Sequence, residues 1–120
     1  MNWSSMQTTS KHDKNYLAMN KKAIIQLLGL TQRAGQLVTG ENLVLKAIRN
    51  QSAQFVFIAN DASQQTIKKF TDKCKYYQVD NSIVLSRQEI SNAIGQSRSV
   101  AAIIQSGFAK KFKALTEKIN

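Results

Sequence analysis

The sequence predicts an α/β layered domain, with helices on both faces of one sheet. Three observations lead there. Two short, continuous apolar runs, Phe55-Val56-Phe57-Ile58-Ala59 and Val100-Ala101-Ala102-Ile103-Ile104, have the pattern of strands covered on both faces. Segments with apolar residues at helical spacing precede, separate and follow them. The order that results is α-β-α-β-α-β-α-β-α over 120 residues, a length that closes one good hydrophobic core rather than two.

The first helix is read from Lys21 to Arg33. Ile24, Leu27 and Leu28 share one face there, Ile25 and Leu30 widen it, and Gly35 serves as a glycine C-cap. Gln36 to Thr39 is a short strand, and Gly40 lets the backbone turn sharply into a helix from Glu41 to about Gln51. On that helix Leu43, Val44, Ala47 and Ile48 fall on one arc, whereas Asn42, Lys46 and Arg49 share another. After the Phe55–Ala59 strand, Asn60-Asp61-Ala62-Ser63 supplies turn and N-cap chemistry. The next helix reaches about Tyr76, with Ile67, Phe70 and Cys74 inward and Lys68, Lys69, Lys73 and Lys75 mainly outward. Val79 and the run Ile83-Val84-Leu85 are read as short extended pieces. Ser86-Arg87-Gln88-Glu89 matches the capping box S-x-x-E, so a helix begins there and stops at Gly95. Gly107 breaks the Val100–Ile104 strand, and a last helix carries Phe108, Phe112, Leu115 and Ile119 on one face.

Residues 1–20 differ from this pattern. They are rich in Ser, Thr, Asn and Gln, with no sustained period, and are read as a flexible extension before a domain spanning 21–120. Docking of Trp3, Tyr16 or Leu17 onto the domain is the competing reading. The extension lacks the apolar core of a secretory signal, and no run approaches the roughly 18–20 residues of a membrane span. A cytoplasmic location is the expectation.

Charge points to the class of partner. Seventeen Lys and Arg against seven Asp and Glu give a net charge of +10, and all but two of the basic residues lie beyond residue 20. That excess favours a polyanion, either nucleic acid or an anionic membrane surface. Catalysis finds little support. The one cysteine, Cys74, falls on an apolar helix face, and the one histidine, His12, lies in the extension with nothing to orient it. Asp61, Asp72, Asp80 and Glu89 occupy different turns or faces, so no carboxylate pair forms. Neither a dinucleotide fingerprint nor a P-loop is present, and no cluster has metal-ligand spacing; no cofactor or metal is expected.

The informative segment is Thr39-Gly40-Glu41-Asn42-Leu43-Val44-Leu45-Lys46-Ala47-Ile48-Arg49. Unpaired N–H groups at a helix start attract phosphate, and Gly40 permits close approach of another backbone. Asn42 offers a donor and an acceptor to a base edge, Lys46 reaches guanine or phosphate one turn on, and Arg49 extends the stripe. The alternative is that Asn42 only caps the helix while Lys46 and Arg49 are solvated. Gly95-Gln96-Ser97-Arg98-Ser99 suits a loop resting on a sugar–phosphate backbone, or is simply a loop. Asp61 sits in a turn that either caps a helix or joins a functional edge, where loops after parallel strands gather.

The run Thr39-Gly40-Glu41-Asn42-x-x-x-Lys46-Ala47-Ile48, followed by Phe55 through Ser63, resembles the kink-turn-binding ribosomal proteins of the L-seven-Ae type, and among them the small bacterial YlxQ-like members. The ending Ile103-Ile104-Gln105-Ser106-Gly107-Phe108-Ala109-Lys110 is similar to that bacterial branch, and the likeness covers roughly residues 21–112. The resemblance implies a three-layer α-β-α sandwich around a mixed four-stranded sheet, and binding of structured RNA. It implies that Gly40 allows close approach to sheared G·A pairs, that Asn42 reads a guanine edge and that Lys46 contacts guanine or phosphate. Ser97 and Arg98 would belong to a second loop, closing over extruded nucleotides. One departure stands out: the family commonly carries Glu directly after the Asn, and this chain has Leu43, which cannot accept from base amino groups.

The functional expectation is a non-enzymatic, ribosome-associated RNA-binding protein, recognising a kink-turn or similar bent loop. The expected contacts are Thr39, Gly40, Glu41, Asn42, Leu43, Lys46, Arg49, Asp61, Ser97, Arg98 and Ser99. The expected partner is structured RNA, and neither a membrane nor a small-molecule substrate. The rival reading is a protein-interaction adaptor using the basic Gly40–Arg49 edge on the same scaffold.

Overall fold

A computed structural model describes residues 14–119 of the chain. Among the described residues five helices and four strands alternate: α1 (Lys14–Arg33), β1 (Leu37–Thr39), α2 (Glu41–Arg49), β2 (Phe55–Ile58), α3 (Gln64–Tyr77), β3 (Asp80–Ser82), α4 (Arg87–Ile94), β4 (Val100–Ile103) and α5 (Ser106–Glu117). The strands form one sheet in the order β1-β4-β2-β3. β4 runs antiparallel to both neighbours, and β2 pairs parallel with β3, so the sheet is mixed.

Side-chain alternation along the two central strands builds two cores. Phe55, Phe57 and Ala59 face one side with Ile103, and there meet Ile24 and Leu28 of α1, Ile90 and Ile94 of α4, and Phe112 of α5. The rings of Phe55, Phe57 and Phe112 form a trio with centroids 5.1 to 6.1 Å apart. Val56, Ile58, Val100 and Ala102 face the other side, against Val44, Ala47 and Ile48 of α2 and Phe70 and Cys74 of α3. The expected three-layer sandwich is therefore present, with three helices on one face and two on the other. Each fully buried Phe contributes roughly 1.5–3 kcal/mol relative to exposure, and β2 is paired on both sides, with β4 and β3.

Local signals explain most boundaries. α1 ends in a Schellman turn: Gly35 adopts φ +72°, its N–H bonds the Gln32 carbonyl, and the Gln36 N–H bonds that of Thr31. The α4 capping box is complete, and Gly95 closes that helix in the left-handed region. α2 stops at Arg49, two residues before the expected end, because Gln51 turns to φ 65°.

Several expectations need correction. α1 starts at Lys14, so residues 14–20, read as part of a flexible extension, are helical. Leu17, Ala18 and Met19 are good helix formers, and neither Gly nor Pro interrupts the run into Lys21. Docking of Trp3, Tyr16 or Leu17 falls outside the described residues and side chains. The third strand lies neither on Val79 nor on Ile83–Leu85, but on the polar Asp80-Asn81-Ser82 between them. It is an edge strand held by backbone pairing to Phe55–Phe57, and its exposed Asp80 and Asn81 discourage pairing with another chain. Leu43, placed on the inward arc of α2, is 58% exposed. Gly107 falls inside α5, whose N-cap is Gln105, accepting from the Phe108 N–H at 2.6 Å.

Candidate nucleic-acid interface

Topology gathers one set of loops. β1 and β2 both run antiparallel to β4, so their C-terminal ends meet at the edge where β4 begins. The turn after β1 carries Gly40, the turn after β2 carries Asp61, and residues 95–99 lead into β4. Backbone bonds seal the junctions: the Gly40 N–H bonds the Val100 carbonyl at 3.2 Å, and the Ala59 N–H bonds that of Ser99 at 2.8 Å.

Gly40 occupies φ 91°, ψ 150°, a region essentially reserved for glycine, and it is the N-cap of α2 without a side-chain cap. The first helical bond runs from the Val44 N–H to the Gly40 carbonyl. The amides of Glu41, Asn42 and Leu43 are therefore the orphan donors of the first turn, and have no acceptor among the described residues. Asn42, Lys46 and Arg49 are all exposed. Asn42 does not cap the helix, and none of the three side chains has a hydrogen-bond or ion-pair partner among the described residues. Arg49 lies seven residues beyond Asn42, about 10 Å further along the axis, so it flanks the corner rather than forming it.

Arg98 joins the second loop to this corner. Its Nε donates to Thr39 Oγ1 at 3.3 Å, and a Cβ placed on Gly40 would lie 3.7 Å from that nitrogen. Its other nitrogens donate to the Ser97 carbonyl at 2.9 Å and to Gln96 Oε1 at 2.7 Å, while its backbone is held by Ser91 Oγ. The planar guanidinium is thus fixed on the loop, with Thr39 and Gly40 directly beside it.

The sequence pattern does not single out Arg87, yet Arg87 braces the same loop. Its guanidinium donates to Ser97 Oγ at 2.7 Å and to Ser99 Oγ, and its backbone N–H donates to Asp61 Oδ1 at 2.8 Å. Asp61, Ser97 and Ser99 are thus each held by Arg87, and Asp61 and Ser97 remain exposed. The only one-dimensional trace of this is that Arg87 opens a capping-box helix. Lys69, read as mainly outward, pairs with Glu41 at 3.0 Å and ties α3 to the start of α2.

Two titratable groups are shifted by their surroundings, and both belong to the scaffold. Burial pushes the Cys74 thiol up to about 12, so it stays protonated and structural. Burial also pushes the Glu89 carboxyl up, but bonds from the Ser86 backbone and the Lys21 ammonium outweigh it and hold the group below its ordinary value. A cleft of about 260 Å³ lies at the opposite ends of the strands, lined by Gln54, Asp80 and Lys113 among others, and no residue of the corner contributes to it.

With this geometry in place, likeness to known proteins is informative. The model of the "Ribosomal protein L7Ae/L30e/S12e/Gadd45 family" matches residues 22–113. The RNA-binding protein YlxQ of Enterococcus faecium is 48% identical over 98 residues, covering 82% of this chain and 95% of that protein. YlxQ of Bacillus subtilis (strain 168) is 47% identical over 92 residues, covering 76% and 92%. A solved structure from Bacillus halodurans, of unknown function, superposes with a TM-score of 0.76 at 41% identity over 78% of this chain and 96% of its own. The Giardia lamblia 15.5kD RNA binding protein superposes with a TM-score of 0.67 over 82% and 89%, at 21% identity, a likeness of fold. The breadth of the family match and the near-full-length agreement with these relatives lead to one conclusion: this chain belongs to the ribosomal L-seven-Ae family.

Proposed function

We propose that this chain is a non-enzymatic, cytoplasmic RNA-binding protein that recognises a kink-turn or similar bent internal loop and acts in association with the ribosome. The observation that carries the reading is the Arg98–Thr39 contact, which sets the second loop against the glycine start of α2. Two separate chain segments thereby offer donors to one corner. From α2 come the three orphan amides, the Asn42 carboxamide and the Lys46 ammonium; from the loop comes the Arg98 guanidinium. A regular A-form helix hides its base edges in a deep groove, whereas a kinked loop splays them out for such donors. The names of the two YlxQ relatives, both RNA-binding proteins, point the same way.

In this reading Gly40 lets the RNA backbone approach, Asn42 reads a guanine edge, Lys46 contacts guanine or phosphate, and Arg49 meets phosphate further along. Leu43 presents an exposed apolar surface where the family commonly has a carboxylate, so base amino groups find no acceptor at that position. Affinity should fall steeply with salt, as counterions leave the RNA on binding.

A titration with a bent-loop RNA and a straight duplex of the same composition tests this. The bent RNA should bind more tightly, and Lys46→Ala should weaken it by about 1–3 kcal/mol. Equal affinity for both RNAs, or an unchanged Lys46→Ala variant, contradicts the reading.

A further inference from the structure

The outer surface of α3 has a property that the corner does not use. Lys69, Lys73 and Tyr76 recur at helical spacing and share one stripe. The stripe starts at the corner itself, because the Lys69 ammonium rests 3.0 Å from Glu41 Oε1 at the first position of α2. Tyr76 lies seven residues further, about 10 Å along the axis. It is 78% exposed, yet it is not a loose side chain: its ring meets the half-buried Tyr77 ring at 76°, with centroids 4.8 Å apart. Tyr77 is in turn packed against the core beneath α3. The neighbouring Asp72 pairs with Lys68 at 2.7 Å, and the half-buried Lys73 has no ion-pair partner among the described residues.

We propose that this face, from Lys69 through Lys73 to Tyr76, is a track for a single-stranded RNA segment leaving the bent loop, with a base stacked on Tyr76. The inference rests on the RNA-binding reading of the α2 corner and extends it. Its physical basis is the pairing that unspecific single-strand sites use: ammonium groups following the phosphates and an aromatic face receiving a base. Lys69 marks the handover, exchanging Glu41 for phosphate as the strand passes.

The test compares a bent-loop RNA with the same RNA carrying an unpaired tail of about eight nucleotides at one end or the other. On the full chain, one of the tails should tighten binding by about fivefold or more, within the range of one stacked base. Tyr76→Ala should abolish that gain and leave the tailless RNA bound as before, whereas Tyr76→Phe should keep it. A tail that adds nothing, a Tyr76→Ala variant that retains the gain, or a Tyr76→Phe variant that loses it overturns the track. Failure of the tailless RNA to bind would count against the corner instead. The track would then be judged by an unpaired oligonucleotide alone: a shift of the Tyr76 ring resonances supports it, and unmoved resonances refute it.

Discussion

Helices α2 and α4 both begin beside the edge where β4 starts, and they treat their first turns in opposite ways. At α4, Ser86 Oγ accepts from the Glu89 N–H at 3.1 Å, Glu89 accepts from the Ser86 N–H at 2.8 Å, and Asp61 accepts from the Arg87 N–H at 2.8 Å. Three side chains there, those of Ser86, Glu89 and Asp61, accept from backbone N–H groups of the helix start. At α2 a glycine stands at the N-cap and no side chain caps it. The lesson concerns division of labour. A helix start that only supports the fold completes its own hydrogen bonds, whereas an exposed, uncapped start keeps its donors for something else. The α4 start even serves the α2 start, since Arg87 at its first position holds the Ser97–Ser99 loop from which Arg98 reaches Thr39.

Substitutions at the two starts should therefore separate binding from stability. The largest effect is expected at Gly40. An Ala there meets Arg98 only at ordinary contact distance, so the penalty is the backbone conformation itself, about 1–3 kcal/mol. Gly40→Ala should lower the midpoint of denaturant unfolding and also weaken RNA binding, because relaxing the strain moves the α2 amides. Ser86→Ala should cost about 1 kcal/mol in the same unfolding measurement and leave RNA affinity unchanged. Binding that falls with Ser86→Ala as far as with Gly40→Ala would erase the distinction between the two starts.

The smallest effect is a pH dependence. Glu89 is held below its ordinary value, so its contribution is fully present above the usual carboxylate range and is lost as pH falls through the lowered value. Unfolding midpoints measured from neutral pH downward should decline on the acid side, and Glu89→Gln should flatten that decline. An unaltered acid slope in Glu89→Gln would contradict a stabilising contribution from the ionised Glu89 carboxylate.

What could be read in one dimension follows the same division. The capping box of α4, the Gly35 turn and the two apolar runs are local patterns, each decided within a few residues; the first two stand where they were read, and each run forms a strand that ends one residue early, at Ile58 and Ile103. β3 was not legible, because Asp80-Asn81-Ser82 is a strand only by its backbone pairing with Phe55–Phe57. Leu43 was misplaced because an apolar residue at the margin of an amphipathic arc is buried or exposed according to what packs over it, and among the described residues Leu43 is left largely uncovered. At the corner, Gly40, Asn42 and Lys46 are legible as a short motif on one helix. The Arg98–Thr39 contact joins residues 59 apart, and the Arg87 brace joins helix to loop; only the closed sheet brings those groups together.

The central claim is that the uncapped start of α2, with Arg98 beside it, is where RNA is held. Backbone amide resonances of the labelled protein, followed during titration with a bent-loop RNA, test it directly. The largest shifts are predicted at Glu41, Asn42, Leu43 and Arg98, with the first turn of α4 unmoved. Shifts concentrated instead on the lysines of α5, with Glu41 to Leu43 unchanged, would contradict it.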